Sequence, residues 1–169
     1  MKKQLTVLLL MVLVSITANA QHDHNAHASA AQEKAPAFKD ENVTTAYNHY
    51  IHLKDVLVSS NAGEAKKAAK ELEQSLGMLA NGKKAMQVAN KISSSSDINE
   101  QRKSFSTLSN EITNLVKGSK LTSGSIYLEY CPMANNNEGA FWLSNEKEIK
   151  NPYFGDAMLK CGSVKETLQ

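Results

Sequence analysis

The sequence predicts a mainly α protein: an up-down helical bundle of three to four helices, closed by a small C-terminal β-hairpin and short-helix motif. Two observations carry this. Between residues 41 and 117 apolar residues recur at three- and four-residue spacings, in stretches separated by short breaks. After Gly124 the texture changes to short, aromatic-rich, β-prone runs divided by turn residues.

The first element precedes the domain. Lys2 and Lys3 lead into an almost unbroken apolar run from Leu5 to Ile16. Ala18-Asn19-Ala20 then offers a small-x-small cleavage pattern. This is the layout of a secretory signal over residues 1–20, with cleavage expected before Gln21. The apolar run is short for a bilayer span. No cysteine stands at the cleavage point, so no lipid anchor is expected, and no later stretch would hold the chain in a membrane. The expected location is outside the cytoplasm, periplasmic or secreted.

Removing 20 of 169 residues leaves 149, enough for one domain with a real core. The formal charge of +2 comes from 19 basic and 17 acidic residues. Two of the basic residues lie in the signal, so the remaining chain is balanced. Nothing in that balance points to nucleic acid or an anionic membrane surface as a partner.

Residues 21–38 read as a polar, aperiodic, disordered leader containing His22, His24 and His27. The domain is expected over 39–169. Its first helix runs from about Glu41 to Ser59, with Val43, Ala46, Tyr47, Tyr50, Leu53 and Leu57 on one face. Asn61-Ala62-Gly63 stops it. The second, to about Leu79, carries Ala65, Ala69, Leu72, Leu76 and Leu79. Asn81-Gly82 breaks the chain, and Lys83 to Ile92 continues as a short helix using Met86 and Ala89. Asp97 caps the next helix with Glu100 three residues later. Ile98, Phe105, Leu108, Ile112 and Leu115 form its face, and Gly118 ends it. These stripes are core.

Ile126 to Tyr130 and Ala140 to Leu143 flank the turn-forming run Asn135 to Gly139 and predict the hairpin. Asn151-Pro152 opens a short helix through Leu159, proline being suited to a first helical turn.

Both cysteines fall in this C-terminal motif, at about 125–163. In an extended segment Cys131 and Met133 point the same way, and near a helix end Met158 and Cys161 share a face. Together they form a candidate soft-metal set. Thiolates and thioethers select copper(I), and silver by the same chemistry. Zinc would accept the cysteines but gain little from methionine. The alternative is a Cys131–Cys161 disulfide closing about 30 residues, contributing on the order of 3 kcal/mol by loop entropy, with the methionines as core filler. Spacing leaves both open. His22, His24 and His27 are weaker candidate metal ligands. His49 and His52, three apart on the first helix, make at best half a site. No nucleophile elbow, phosphate loop or Cys-x-x-Cys pair is present, so no enzyme is expected.

The run Tyr130-Cys131-Pro132-Met133-Ala134, Gly139, Trp142-Leu143-Ser144, Ile149, Asn151-Pro152-Tyr153-Phe154-Gly155, Met158-Leu159 and Cys161-Gly162 resembles a bacterial periplasmic family of unknown function. Asp97-Ile98, Gln101-Arg102, Phe105 and Leu108-Ser109 add to the resemblance, which spans roughly residues 43–163. Members of that family occur as small exported proteins and as domains fused to the adaptor subunits of copper- and silver-type efflux pumps. The resemblance implies a soft metal, copper first, and an efflux adaptor or pump as partner. It also implies that Cys131, Met133, Met158 and Cys161 are the ligands. Trp142 and the run Asn151, Pro152 to Gly155 read as structural, an aromatic wall and a helix-opening turn. Two functions from different classes follow: a copper-binding protein of metal resistance, buffering or delivery, or a disulfide-stapled module for protein interaction.

Overall fold

The computed structural model describes residues 34–169. The expected signal and the histidines at 22, 24 and 27 lie outside them. Four long helices, two short helical turns and two small antiparallel sheets are the regular elements of the described residues.

Strand β1 (Ala37–Phe38) pairs with β2 (Leu121–Ser123). The last residues of the expected leader therefore belong to the fold. Phe38 is buried, with its ring 5.7 Å from that of Tyr47. Composition alone places this lone aromatic in a polar leader, and its burial against α1 overrides that composition.

Helix α1 (Glu41–Val58) starts where Asp40 Oδ1 accepts the Asn42 N–H at 2.9 Å. Helix α2 (Ala62–Gly77) starts where Asn61 Oδ1 accepts the Glu64 N–H at 3.1 Å. Helix α3 (Lys83–Ser94) follows Gly82. Helix α4 (Ile98–Lys117) is capped by Asp97, whose Oδ1 accepts from the Asn99 and Glu100 amides at 2.7 and 3.4 Å. Each cap satisfies amides that the first helical turn leaves unpaired. The expected breaks at Asn61-Ala62-Gly63, Asn81-Gly82 and Gly118 all fall within two residues of observed helix ends.

In order, α1 packs on α2, α2 on α3, α3 on α4, and α4 on strand β4. The expected stripes are the core: Tyr50, Leu53, Leu57, Leu72, Leu76, Phe105 and Leu108 are all fully buried. At the centre the Tyr50 and Phe105 rings stack, 5.3 Å apart and 11° from parallel. Tyr50 escapes the cost of burying a hydroxyl. Its oxygen lies 2.8 Å from Ser109 Oγ and accepts the Leu143 amide at 3.0 Å, tying α1 to α4 and to the sheet.

The expected hairpin is present. Strand β3 (Ile126–Cys131) pairs antiparallel with β4 (Ala140–Ser144), with Glu129 opposite Trp142 and Cys131 opposite Ala140. The turn between them takes an unusual path, with Asn135, Asn136 and Asn137 all at positive φ. Asparagine tolerates this region better than other side chains. Gly139 has no alternative, because a Cβ there would stand 2.0 Å from the Tyr130 hydroxyl.

Two further features depart from the sequence reading. The short helix over 151–159 shrinks to a 3-10 turn, Gly155–Met158, preceded by turn residues. Gly155 lies at φ +56, left-handed, and stops a right-handed helix from passing through it. Cys161 is consequently outside any helix. The second departure is β5 (Ser163–Leu168), which pairs with β3 and makes it the central strand, in the order β4-β3-β5. All but one of its side chains are exposed, so no alternation marked it in the sequence.

Phe105→Ala should lower stability by about 3–5 kcal/mol, since it removes the ring on which Tyr50 stacks and Tyr153 leans. Urea denaturation followed by tyrosine and tryptophan fluorescence measures it.

Candidate functional site

The segment 145–162 runs from β4 to β5 with little regular structure, and the candidate residues of the C-terminal motif lie on it, on β4, and at the end of β3 with the turn that follows. Three attachments hold it. The first is covalent: Cys131 and Cys161 form a disulfide with their Cα atoms 5.7 Å apart. Cys131 is fully buried in β3. The second is Asn151, also fully buried. Its side-chain oxygen accepts the Tyr153 amide at 2.8 Å and its Nδ2 donates to the Cys161 carbonyl at 2.8 Å. Its backbone closes the same loop, donating to the Leu159 carbonyl at 2.9 Å and accepting from the Gly155 amide at 3.2 Å. The Asn151-Pro152 pair thus organises a turn, not a helix start. Pro152 is buried beside it.

The third attachment is Arg102 on α4. Its Nε donates to the Pro152 carbonyl at 2.9 Å, and its Nη2 to the Leu57 carbonyl at 3.0 Å and to Ser60 Oγ at 2.8 Å. One guanidinium therefore joins the loop to the end of α1. Gly155 fits beneath it only because it lacks a side chain: a Cβ would lie 2.4 Å from Ser60 Oγ and 2.9 Å from Arg102 Nη2. Aromatic packing completes the seal. Tyr153 donates to the Phe141 carbonyl at 2.6 Å, and its ring meets Trp142 edge-on at 5.9 Å. Trp142 is fully buried.

The four sulfur residues divide into two kinds. The cysteines are joined, Cys131 fully buried and Cys161 half-buried. Met133 is 47% exposed, Met158 half-buried, and both line one open cavity of about 620 Å³. Tyr153, Phe154, the three asparagines of the turn, Arg102 and Lys103 form other parts of its wall. Among the described residues no group of three or more His, Cys, Asp or Glu could hold a metal ion. His49 instead faces Glu71, with Nδ1 3.6 Å from the carboxylate.

Sequence reasoning missed Glu129. It lies two residues before Cys131 on the same face of β3, fully buried, and neither carboxylate oxygen has a hydrogen-bond partner. Desolvation raises its pKa to about 8. Lys54, buried on α1, and the Trp142 indole oppose the rise, while Glu146 adds to it. The indole N–H completes no hydrogen bond of its own. Lys54 Nζ contacts Asp55 at 2.6 Å. The signals were there: a single acidic residue inside an apolar strand, and a lysine within the apolar stripe of α1.

Two outcomes are expected. Replacing both cysteines by alanine should cost on the order of 3 kcal/mol, since the bond closes a loop of sequence separation 30; thermal melts with and without reductant measure it. For Glu129 the folded pKa lies above the unfolded one, so its contribution is fully present below about pH 4.5 and is lost as pH rises towards 8. Stability should therefore fall across that window in the wild type. Glu129→Gln should flatten the slope, a difference of a few kcal/mol by pH 8, read from denaturation midpoints at each pH.

Compared with known proteins, residues 46–124 match a family model described as "Protein of unknown function (DUF3347)". No curated protein matches the chain, and no solved structure does. The match covers the helices from within α1 to the end of β2 and stops short of all four sulfur residues, so what it supports is that this helical part is that of a domain-of-unknown-function family.

Proposed function

We propose that this chain is an exported, non-enzymatic soft-metal-binding protein with copper(I) as its first cargo. In this reading its four helices form an up-down bundle, a rigid base for the C-terminal motif. Cys131, Met133, Met158 and Cys161 supply the sulfur donors. The observation that supports it is the meeting of two sequence-distant pairs: the cysteines are bonded, and the methionines beside them line one cavity. Donor chemistry selects the metal. Two thiolates and two thioethers are soft, which favours copper(I) or silver(I), whereas zinc would use only the thiolates. The thiolates become ligands once a dithiol reductant has opened the disulfide. The resemblance of the motif to proteins fused to efflux adaptors supplies the context of metal resistance, with buffering or delivery to such an adaptor as the role. His22, His24 and His27 would add weak capture ahead of the domain.

One observation favours a second reading from a different class. Cys131 is fully buried and bonded, and Asn151, Arg102 and Gly155 all serve to fix the same loop. That is the economy of a structural staple, and it fits an envelope module that binds another protein.

An anaerobic copper(I) titration of the reduced chain 21–169 against a coloured copper(I) chelator separates the two. The metal reading expects one copper per chain and at least a tenfold weaker competition by Cys131→Ala. If the reduced wild type competes no better than the variant, the metal reading falls and the staple remains.

A further inference from the structure

Copper binding by all four sulfurs requires an open disulfide, yet the two kinds of sulfur differ in more than oxidation state. The bond joins two segments whose ends carry the methionines. Met133 follows Cys131 by two residues, and Met158 precedes Cys161 by three. Closing the disulfide therefore places both thioethers on the wall of one cavity rather than removing them from use.

We propose that Met133 and Met158 form a soft-cation site that operates with the Cys131–Cys161 bond closed, the disulfide acting as its frame and not as its ligand. This rests on the soft-metal reading and adds a state to it. Thioethers carry no proton and need no reductant, so the pair is available to a monovalent soft cation wherever the disulfide is intact. Both side chains are reachable, with Met133 47% exposed and Met158 half-buried on a cavity large enough for rotamer adjustment. The ring of Phe154 and the carboxamide of Asn136 stand on the same wall as neutral supplementary donors. Charge on the wall decides valence. Arg102 and Lys103 outnumber Glu100, so a divalent ion would meet about twice the repulsion that a monovalent one meets.

The test uses the chain 21–169 purified without reductant. Silver nitrate is titrated in chloride-free buffer by calorimetry, and thiols are counted before and after to show that the bond stays closed. One silver per chain is expected, bound at least tenfold more weakly by Met133→Leu and by Met158→Leu. Met78→Leu should match the wild type: Met78 is 70% exposed and does not line the cavity. The histidine leader is common to every variant, so the weak binding it adds is the same background in each. Leucine keeps the volume, and equal melting temperatures establish that the variants fold. Silver binding that survives the double Met133→Leu/Met158→Leu change at the wild-type affinity overturns the inference. Binding that appears only after reduction overturns it too, while leaving the soft-metal reading in place. Absence of binding in both states ends both.

Discussion

The disulfide between Cys131 and Cys161 is the constraint on which the C-terminal third depends. Helices α1 to α4 hold themselves together by burying leucine, alanine and aromatic stripes. The segment 145–162 has no such stripe and almost no backbone ladder. Its ordering must come from a few strong attachments, because each ordered residue loses on the order of 1–2 kcal/mol of backbone entropy. A covalent bond to the central strand removes much of that cost from the unfolded side. Asn151 then satisfies the polar backbone that the covered loop would otherwise bury unpaired.

That division of labour explains what was legible in the sequence. The helices and hairpin could be read because their periodicities are direct consequences of burial on one face: Leu53, Leu57, Phe105 and Ile112 announce themselves. The 3-10 turn at Gly155–Met158 could not, because its shape is set by a left-handed glycine lodged under Arg102, a contact between elements far apart in the chain. Strand β5 was hidden for the opposite reason: it contributes backbone pairing to β3 and almost no buried side chain. What spacing could not decide was how the sulfur residues group, two joined in a disulfide and two lining a cavity, since that depends on how the loop folds back.

Glu129 marks the one place where the core departs from apolar economy. A carboxyl group between Trp142 and Lys54, with no partner for either oxygen, is costly in either protonation state. Its position on the same strand face as Cys131 puts this cost directly beside the bond that orders the loop. The chain therefore carries its least settled electrostatics at its most tightly fastened point, an arrangement common where structure serves something besides stability.

Arg102 gives the motif a different character. Its guanidinium spends its hydrogen bonds on two carbonyls and a hydroxyl, all uncharged. Lysine–glutamate pairs such as Lys117–Glu166 and Lys150–Glu146 weaken when salt screens them or acid protonates the glutamate. A joint between a permanent cation and neutral oxygens has no second charge to screen and no carboxylate to protonate. The fastening of the loop to α1 is thus insulated from the ionic composition of its surroundings, and the cavity beside it keeps its shape through changes of medium that would loosen the protein's surface.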